Sequence, residues 1–98
     1  MVDIQKAESY VRGISYETYS QDDKLIDATM FRLIQIAENI KNLSDEIKIQ
    51  HPDIPWEDIV GFRNRIVHDY GHTDYAIVYH VLTIDLPQVE KALSAELG

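Results

Sequence analysis

Ile54-Pro55-Trp56-Glu57-Asp58-Ile59-Val60-Gly61-Phe62-Arg63-Asn64-Arg65-Ile66-Val67-His68-Asp69-Tyr70 is the stretch on which the reading of this chain turns. Just before it, Pro52 and Pro55 remove backbone donors and push the residues ahead of them out of the helical region. A helix arriving from upstream must therefore stop at His51-Pro52-Asp53-Ile54-Pro55. Pro55 then suits the first turn of a new helix, and Glu57 and Asp58 complement its dipole. Trp56, Ile59, Val60, Phe62, Ile66 and Val67 recur at helical spacing and supply an apolar face, with Trp56 as a core anchor in preference to a base-stacking residue. The polar side chains between them are distinctive. Arg63, Asn64, Arg65, His68 and Tyr70 place guanidinium, amide, imidazole and phenol groups within two turns. Arginine and histidine together bind phosphate and move protons near neutral pH.

Working outward, the periodicity is helical almost throughout. Towards the N-terminus, Ile4, Ala7, Val11 and Ile14 predict a short amphipathic helix ending near Gly13, and Ser15 to Tyr19 reads as a connector. Ser20-Gln21-Asp22-Asp23 offers an N-cap with acids in the first turn. A long second helix is predicted from about Gln21 to Ile49. Its main stripe is Leu25, Ala28, Arg32, Ile36, Ile40, Leu43 and Ile47, widened by Phe31, Leu33, Ile34 and Ala37. Arg32 and Glu38 interrupt that surface and are expected to be partly buried, paired polar contacts.

Towards the C-terminus, the third helix should end near Tyr70-Gly71, where glycine provides the left-handed cap. Thr73 or Asp74 then caps a fourth helix running to about Leu97, with Leu82, Leu86, Val89 and Leu93 as its core stripe and a kink at Pro87. There is no β-alternation, repeat or low-complexity tract. The expected fold is all-α, an antiparallel bundle of about four main helices joined by short connections, in a single domain over residues 1–98.

Bulk properties narrow the function classes. Ninety-eight residues bury a limited core, so pairing with a second copy is a natural way to gain buried surface. No segment approaches the ~18 uninterrupted apolar residues of a membrane span, and no secretory signal is visible at Met1-Val2-Asp3-Ile4-Gln5-Lys6, so a cytoplasmic protein is expected. The absence of cysteine removes disulfides, thiol nucleophiles and thiolate metal sites. A formal net charge of −8 opposes nonspecific nucleic-acid binding, so any RNA must meet a local basic cleft. Arg63 and Arg65 are the only lysine or arginine residues between Lys48 and Lys91.

Helix geometry decides which groups cooperate. Asn64 and His68 share a face, as do Arg63 and Tyr70, but Arg63 and His68 lie about 140° apart on a regular helix. Their convergence requires a loosened helix end, a wrapped arginine side chain, or contributions from two subunits across a two-fold axis. The chemistry this set supports is metal-independent RNA cleavage by attack of a ribose 2′-hydroxyl on the adjacent phosphorus. His68 serves as general base or acid, Arg63 stabilises the phosphate charge, and Asn64 and Arg65 orient the imidazole or the phosphate. An Arg-Asn-Arg run is also the pattern of a solvated helix face, and a histidine near a C-terminus can simply complement the dipole. His68-Asp69-Tyr70-Gly71-His72 has the outline of a helical zinc motif, but Gly71 signals a helix end and no third ligand follows at suitable spacing. No metal or cofactor is assigned.

Arg63-x4-His68-x-Tyr70 resembles the signature of the HepT toxins, within the HEPN superfamily of small helical proteins. The resemblance covers nearly the whole chain. It includes the run from Ile54 into Arg65, the Asp85-Leu86-Pro87 landmark of the last helix, and Ile34-Gln35-Ile36-Ala37-Glu38-Asn39 on the long helix. The family pattern departs here at Ala37, at Asn39 and at Gly71-His72. The resemblance implies a HEPN-like bundle, a homodimer with two sites facing a shared cleft, and a ribonuclease acting on tRNA or mRNA. It also implies a minimal nucleotidyltransferase antitoxin of the MntA type, which neutralises the toxin by transferring AMP to Tyr70. Arg63 and His68 are then the catalytic pair. The competing expectation is a non-catalytic subunit that binds a nucleotide or docks a nucleotidyltransferase.

Overall fold

The computed structural model describes residues 1–68 and 73–97. Among these residues the chain is helical with no strand. The helices are α1 (Val2–Val11), α2 (Tyr16–Tyr19), α3 (Asp23–Lys41), α4 (Asp45–Gln50), α5 (Trp56–His68), α6 (Tyr75–His80) and α7 (Leu86–Leu97), with a π-helical turn at Val81–Asp85 joining the last two. The expected all-α bundle is the observed one: α1, α3, α5 and the combined α6–α7 path are its four main rods. No described helix is long and apolar enough to cross a membrane.

The core is one cluster. From α1 it takes Ile4, Ala7 and Val11, and from α3 it takes Ile26, Met30, Leu33, Ile36 and Ile40. Trp56, Ile59, Phe62 and Ile66 enter it from α5, and Val78, Leu82, Leu86 and Val89 from the last rod. Helix α3 packs against both α1 and α5, while α1 also meets α7 and the π turn. Two polar ties reinforce this arrangement. Arg32 donates to Asp3 at 2.8 Å between α3 and α1, and Gln5 donates to Glu90 at 3.2 Å between α1 and α7.

Three expectations are corrected. The predicted second helix is two helices. Asn42 takes bridge-region angles (φ −90°, ψ 0°), and the amides of Asn42 and Leu43 bond to Asn39 and Ile40. Ser44 then caps α4 by accepting from the Ile47 amide at 3.4 Å. The apolar spacing of Ile40, Leu43 and Ile47 runs through this break and conceals it. Its signal is Ser44-Asp45-Glu46, a cap residue followed by two first-turn acids.

The buried stripe of α3 is also rotated from the expected one. It consists of Ile26, Thr29, Met30, Leu33, Ile36, Ala37 and Ile40, whereas Ala28 is exposed and Phe31 is 56% exposed. Finally, the supposed connector after α1 is structured. Gly13 takes φ +73°, a left-handed conformation that disfavours a side chain, and turns the chain into Ser15, which caps the single turn of α2.

That turn buries Tyr19 completely. The Tyr19 hydroxyl lies 2.7 Å from the Thr29 hydroxyl, which in turn donates to the Ile26 carbonyl at 2.9 Å. With the threonine proton committed, the tyrosine is the donor and must keep its own proton. Tyr79 packs its ring 5.5 Å from that of Tyr19, and its hydroxyl donates to the Ile14 carbonyl, fixing the last rod to the α1–α2 corner.

The final rod matches its predicted cap and stripe. Asp74 accepts from the Ala76 amide at 2.9 Å. The irregularity lies just ahead of Pro87, where the Leu86 amide reaches back to the Val81 carbonyl, a π-type bond. A proline has no amide to give the carbonyl four residues earlier, and its ring crowds that group. A wider turn at this point accommodates both facts. The predicted glycine cap at Gly71 lies outside the described residues.

Burial pushes the Tyr19 phenol up from its ordinary 10.0 to about 12. A folded-state value above the unfolded one means the contribution is whole below pH 10 and is lost as pH rises through about 12. Chemical denaturation across that window should therefore show stability falling in the native chain. In Tyr19→Phe that fall should be smaller, while stability near neutrality is lower by about 1 kcal/mol for the lost buried hydrogen bond.

Candidate functional site

Helix α5 fixes the directions of the site residues because its apolar face is locked into the core. Trp56, Ile59, Phe62 and Ile66 are buried on that face, and the Trp56 indole donates to the His51 carbonyl at 2.9 Å. At about 100° per residue, Arg63 then flanks the core on the α3 side, whereas Arg65 flanks it on the α6 side. Asn64 and His68 point away from the core, four residues apart on one face, and both are exposed.

Arg63 is half-buried in a small groove of about 170 Å³ between α3 and α5, lined also by Glu38, Lys41, Val60 and Asn64. At about 30 Å³ per water the groove has the volume of several waters. It suits a phosphate group better than a nucleoside. The guanidinium is held from two sides. Its Nη1 donates to the Asn64 side-chain oxygen at 3.1 Å, and its Nε lies 3.6 Å from a Glu38 carboxylate oxygen. The Nε is buried and has no hydrogen-bond partner, since Glu38 stands just beyond bonding range. Glu38 thus aligns the guanidinium without fully satisfying it, leaving the remaining donors for an anion.

Arg32 and Glu38, both expected to be paired, are paired: the first with Asp3, the second with Arg63. Lys41 was not singled out from sequence. It belongs to a helix twenty-two positions upstream of Arg63 in a different apolar context. Its only local signal is that Glu38 and Lys41, three apart, share a helical face.

The other candidates are placed differently. Arg65 lies in a separate cleft of about 470 Å³ between α5 and the last rod, with Asp58, His80 and Asp85. Within one chain it is therefore not beside Arg63. The π turn creates the local geometry of that second cleft, bringing residues five apart together, so His80 Nε2 lies 3.8 Å from Asp85. Burial raises the Asp85 carboxyl above its usual range, with His80 opposing and Asp58 reinforcing the shift.

His68 is the last described residue of α5, which is regular up to it. No loosening of the helix reduces the angle of about 140° that separates it from Arg63. Tyr70 lies outside the described residues, as do Gly71 and His72 of the zinc-like outline. Among the described residues no three His, Asp or Glu side chains form a metal-binding group.

The model of the family described as "Ribonuclease HepT-like" matches residues 2–96. The chain belongs to the HepT-like ribonuclease family. Among its relatives, the protein named "Putative RNase TTE0752" of Caldanaerobacter subterraneus subsp. tengcongensis is 35% identical over 81 residues, covering 83% of this chain and 72% of the relative. "Probable ribonuclease HepT" of Thermococcus cleftensis is 29% identical over 87 residues, covering 89% of this chain and 79% of the relative. No solved structure gives a significant match. The HepT-like signature read from sequence, Arg63-x4-His68-x-Tyr70, begins in the α3–α5 groove, and its Tyr70 lies outside the described residues.

The Arg63–Glu38 pair is 37% and 47% exposed at its two side chains, so it contributes little to stability. Glu38→Gln should shift the unfolding free energy by less than about 1 kcal/mol. Its effect should instead appear at Arg63, whose Nε–H should exchange faster with solvent in NMR spectra of the variant. An unchanged exchange rate would show that Glu38 does not hold the guanidinium.

Proposed function

We propose that this HepT-like chain is the toxin of a toxin–antitoxin pair, a metal-independent endoribonuclease that works as a cytoplasmic homodimer. The observation that carries the reading is the Arg63 guanidinium, aligned by Glu38 and Asn64 in a phosphate-sized groove. A ribose 2′-hydroxyl adjacent to the bound phosphate loses its proton to the imidazole of His68 as its oxygen bonds to phosphorus. The P–O5′ bond breaks, a 2′,3′-cyclic phosphate remains, and the departing 5′-oxygen takes up a proton. Arg63 offsets the extra negative charge that builds on the phosphoryl oxygens. DNA lacks the nucleophile and is spared.

Helix geometry supports the dimer. With α5 regular through His68, the imidazole and the Arg63 of one chain face different ways. A two-fold axis beside α5 brings the His68 of one copy to the Arg63 of the other and yields two equivalent composite sites. It also gathers two sets of Arg63, Asn64 and Lys41, which locally offsets a chain of formal charge −8. On this reading Arg65 supports the phosphate from the neighbouring copy, since within its own chain it occupies the other cleft.

Regulation completes the proposal. An MntA-like nucleotidyltransferase transfers AMP from ATP to the Tyr70 hydroxyl, releasing pyrophosphate and forming a phosphodiester at the phenol. Two positions beyond His68, this adds bulk and negative charge where the RNA phosphate would approach.

The decisive experiment mixes inactive variants. Arg63→Ala and His68→Ala should each abolish cleavage of RNA in the presence of EDTA. Unfolded together and refolded as a mixture, they should recover about a quarter of native activity, because half the dimers are mixed and each holds one intact composite site. No recovery would mean that each site is built within one chain. RNA left intact by the native dimer would instead make the chain a non-catalytic binding subunit.

Mass spectrometry tests the regulatory step. Co-expression with a cognate nucleotidyltransferase should add AMP-sized increments to the peptide carrying Tyr70 and silence the nuclease. Unmodified Tyr70 under those conditions would remove this part of the proposal.

A further inference from the structure

The groove holding Arg63 is not isolated. It shares Lys41 and Val60 with an adjoining hollow of about 380 Å³, which continues between α4 and α5 past Asp45 and Lys48. The two hollows adjoin along α5, with Arg63, Lys41 and Lys48 as their cations and Glu38, Asp45 and Glu57 as their acids. In a chain with 17 acids and 9 lysine or arginine residues, an even balance is a local departure. One of those acids, Glu38, is already engaged with Arg63.

The opposite flank of α5 differs. There Asp58 and Asp85 face Arg65 and His80, while Glu57 borders both flanks. To a polyanion anchored at Arg63 the near side offers Lys41 and Lys48, and the opposite flank offers Arg65 and His80 beside Asp58 and Asp85. The break between α3 and α4 is what places both lysines on the near side. By ending α3 at Lys41 and restarting the chain at Asp45, it presents lysines from the last turns of two short-spaced helices to one groove. Lys41 is exposed and Lys48 is half-buried, as suits long side chains that cover apolar surface with their stems and keep the charged head in water.

We propose that the channel from Arg63 past Lys41 to Lys48 is the path of the single-stranded RNA flanking the scissile phosphate, with the two lysines contacting its backbone phosphates. The inference rests on the ribonuclease reading for the position of the scissile bond, but not for the presence of a strand-binding channel. Lys41 and Lys48 contribute affinity and leave the chemistry to Arg63 and His68. Their contact is with phosphate, so it is indifferent to base identity.

Two measurements on Lys41→Gln and Lys48→Gln, with Lys91→Gln as a control outside the channel, test it. In the first, binding of an uncleavable 2′-O-methyl oligoribonucleotide is followed by fluorescence anisotropy over a range of salt. Each channel variant should flatten the slope of log affinity against log salt by about 0.7, the increment for one single-strand phosphate contact. In the second, KM is compared between a dinucleotide substrate and RNAs extended by several nucleotides at either end. Lys48→Gln, which lies outside the Arg63 groove, should raise KM only for an extended RNA, with kcat unchanged.

Lysines in last helical turns also complement helix dipoles, and that role alone would lower the melting temperature without changing the salt slope. A slope equal to that of the native chain in both channel variants overturns the proposal. If the native chain binds RNA but does not cut it, the ribonuclease reading fails while the binding measurement still decides the channel.

Discussion

The burial of Ile59, Phe62 and Ile66 in the core that α5 shares with α3 determines the rotation of α5, and with it the directions in which the candidate side chains leave the helix. An α-helix carries its side chains at fixed angles, so fixing three of them fixes the rest. With the apolar set inward, Arg63 falls at the α3 seam, Arg65 at the opposite seam, and Asn64 and His68 towards solvent. Phe62 and Arg63 are adjacent in sequence and divide the tasks: one supplies packing, the other is carried to the edge of the core. A substitution that rotated α5 by one residue would move Arg63 out of reach of Glu38 before it touched any polar group. The precision of the site therefore comes from hydrophobic packing, which is stiff because the core is close-packed.

Electrostatics then determines what this scaffold can accept. A formal charge of −8 works against polyanions at long range, but screening confines that repulsion to about a Debye length, roughly 8 Å in physiological salt. Within that distance the local arrangement of charges dominates. The α3–α5 groove places Lys41 beside Arg63, and Glu38 limits the guanidinium to one direction. On the proposed reading, an acidic chain with a small, oriented cationic seam rejects most of a polyanion's surface and tolerates it along one line. Such a surface favours discrimination over bulk affinity.

Most of the fold was legible because its signals were local. Pro52 and Pro55 marked the start of α5, Asp74 marked the start of α6, and the stripe of Leu82, Leu86 and Val89 appeared as buried residues of the last rod. What escaped was non-local or concealed. The α3–α4 break is invisible to a periodicity argument because Ile40, Leu43 and Ile47 keep their spacing across it, although Ser44-Asp45-Glu46 announces a new cap. Phe31 belongs to the apolar pattern of α3 yet is 56% exposed, because α1 and α5 leave that sector uncovered. At the site, the residue types at positions 63, 64 and 68 could be read as a group. The partition of Arg63 and Arg65 into different clefts follows from which sides of α5 the neighbouring helices occupy. Glu38 was noticed only as a polar interruption; its partner became evident when α3 and α5 were packed together.

Under the proposed dimer, the angle of about 140° between Arg63 and His68 is a consequence of symmetry and not a defect of the motif. A site built on one face of one helix would need its acid–base and phosphate groups at spacings of three or four, as in Asn64 and His68. Spacing of five turns them apart and makes a lone chain a poor catalyst, with the imidazole in solvent and the guanidinium at a seam. In the proposed dimer the same spacing is favourable, because a two-fold axis reverses one helix relative to the other and lets outward and sideways groups meet. On that proposal catalytic competence depends on association: a small domain with a limited core would gain buried surface and a complete site in the same step, and the pairing that supplies stability would also control activity.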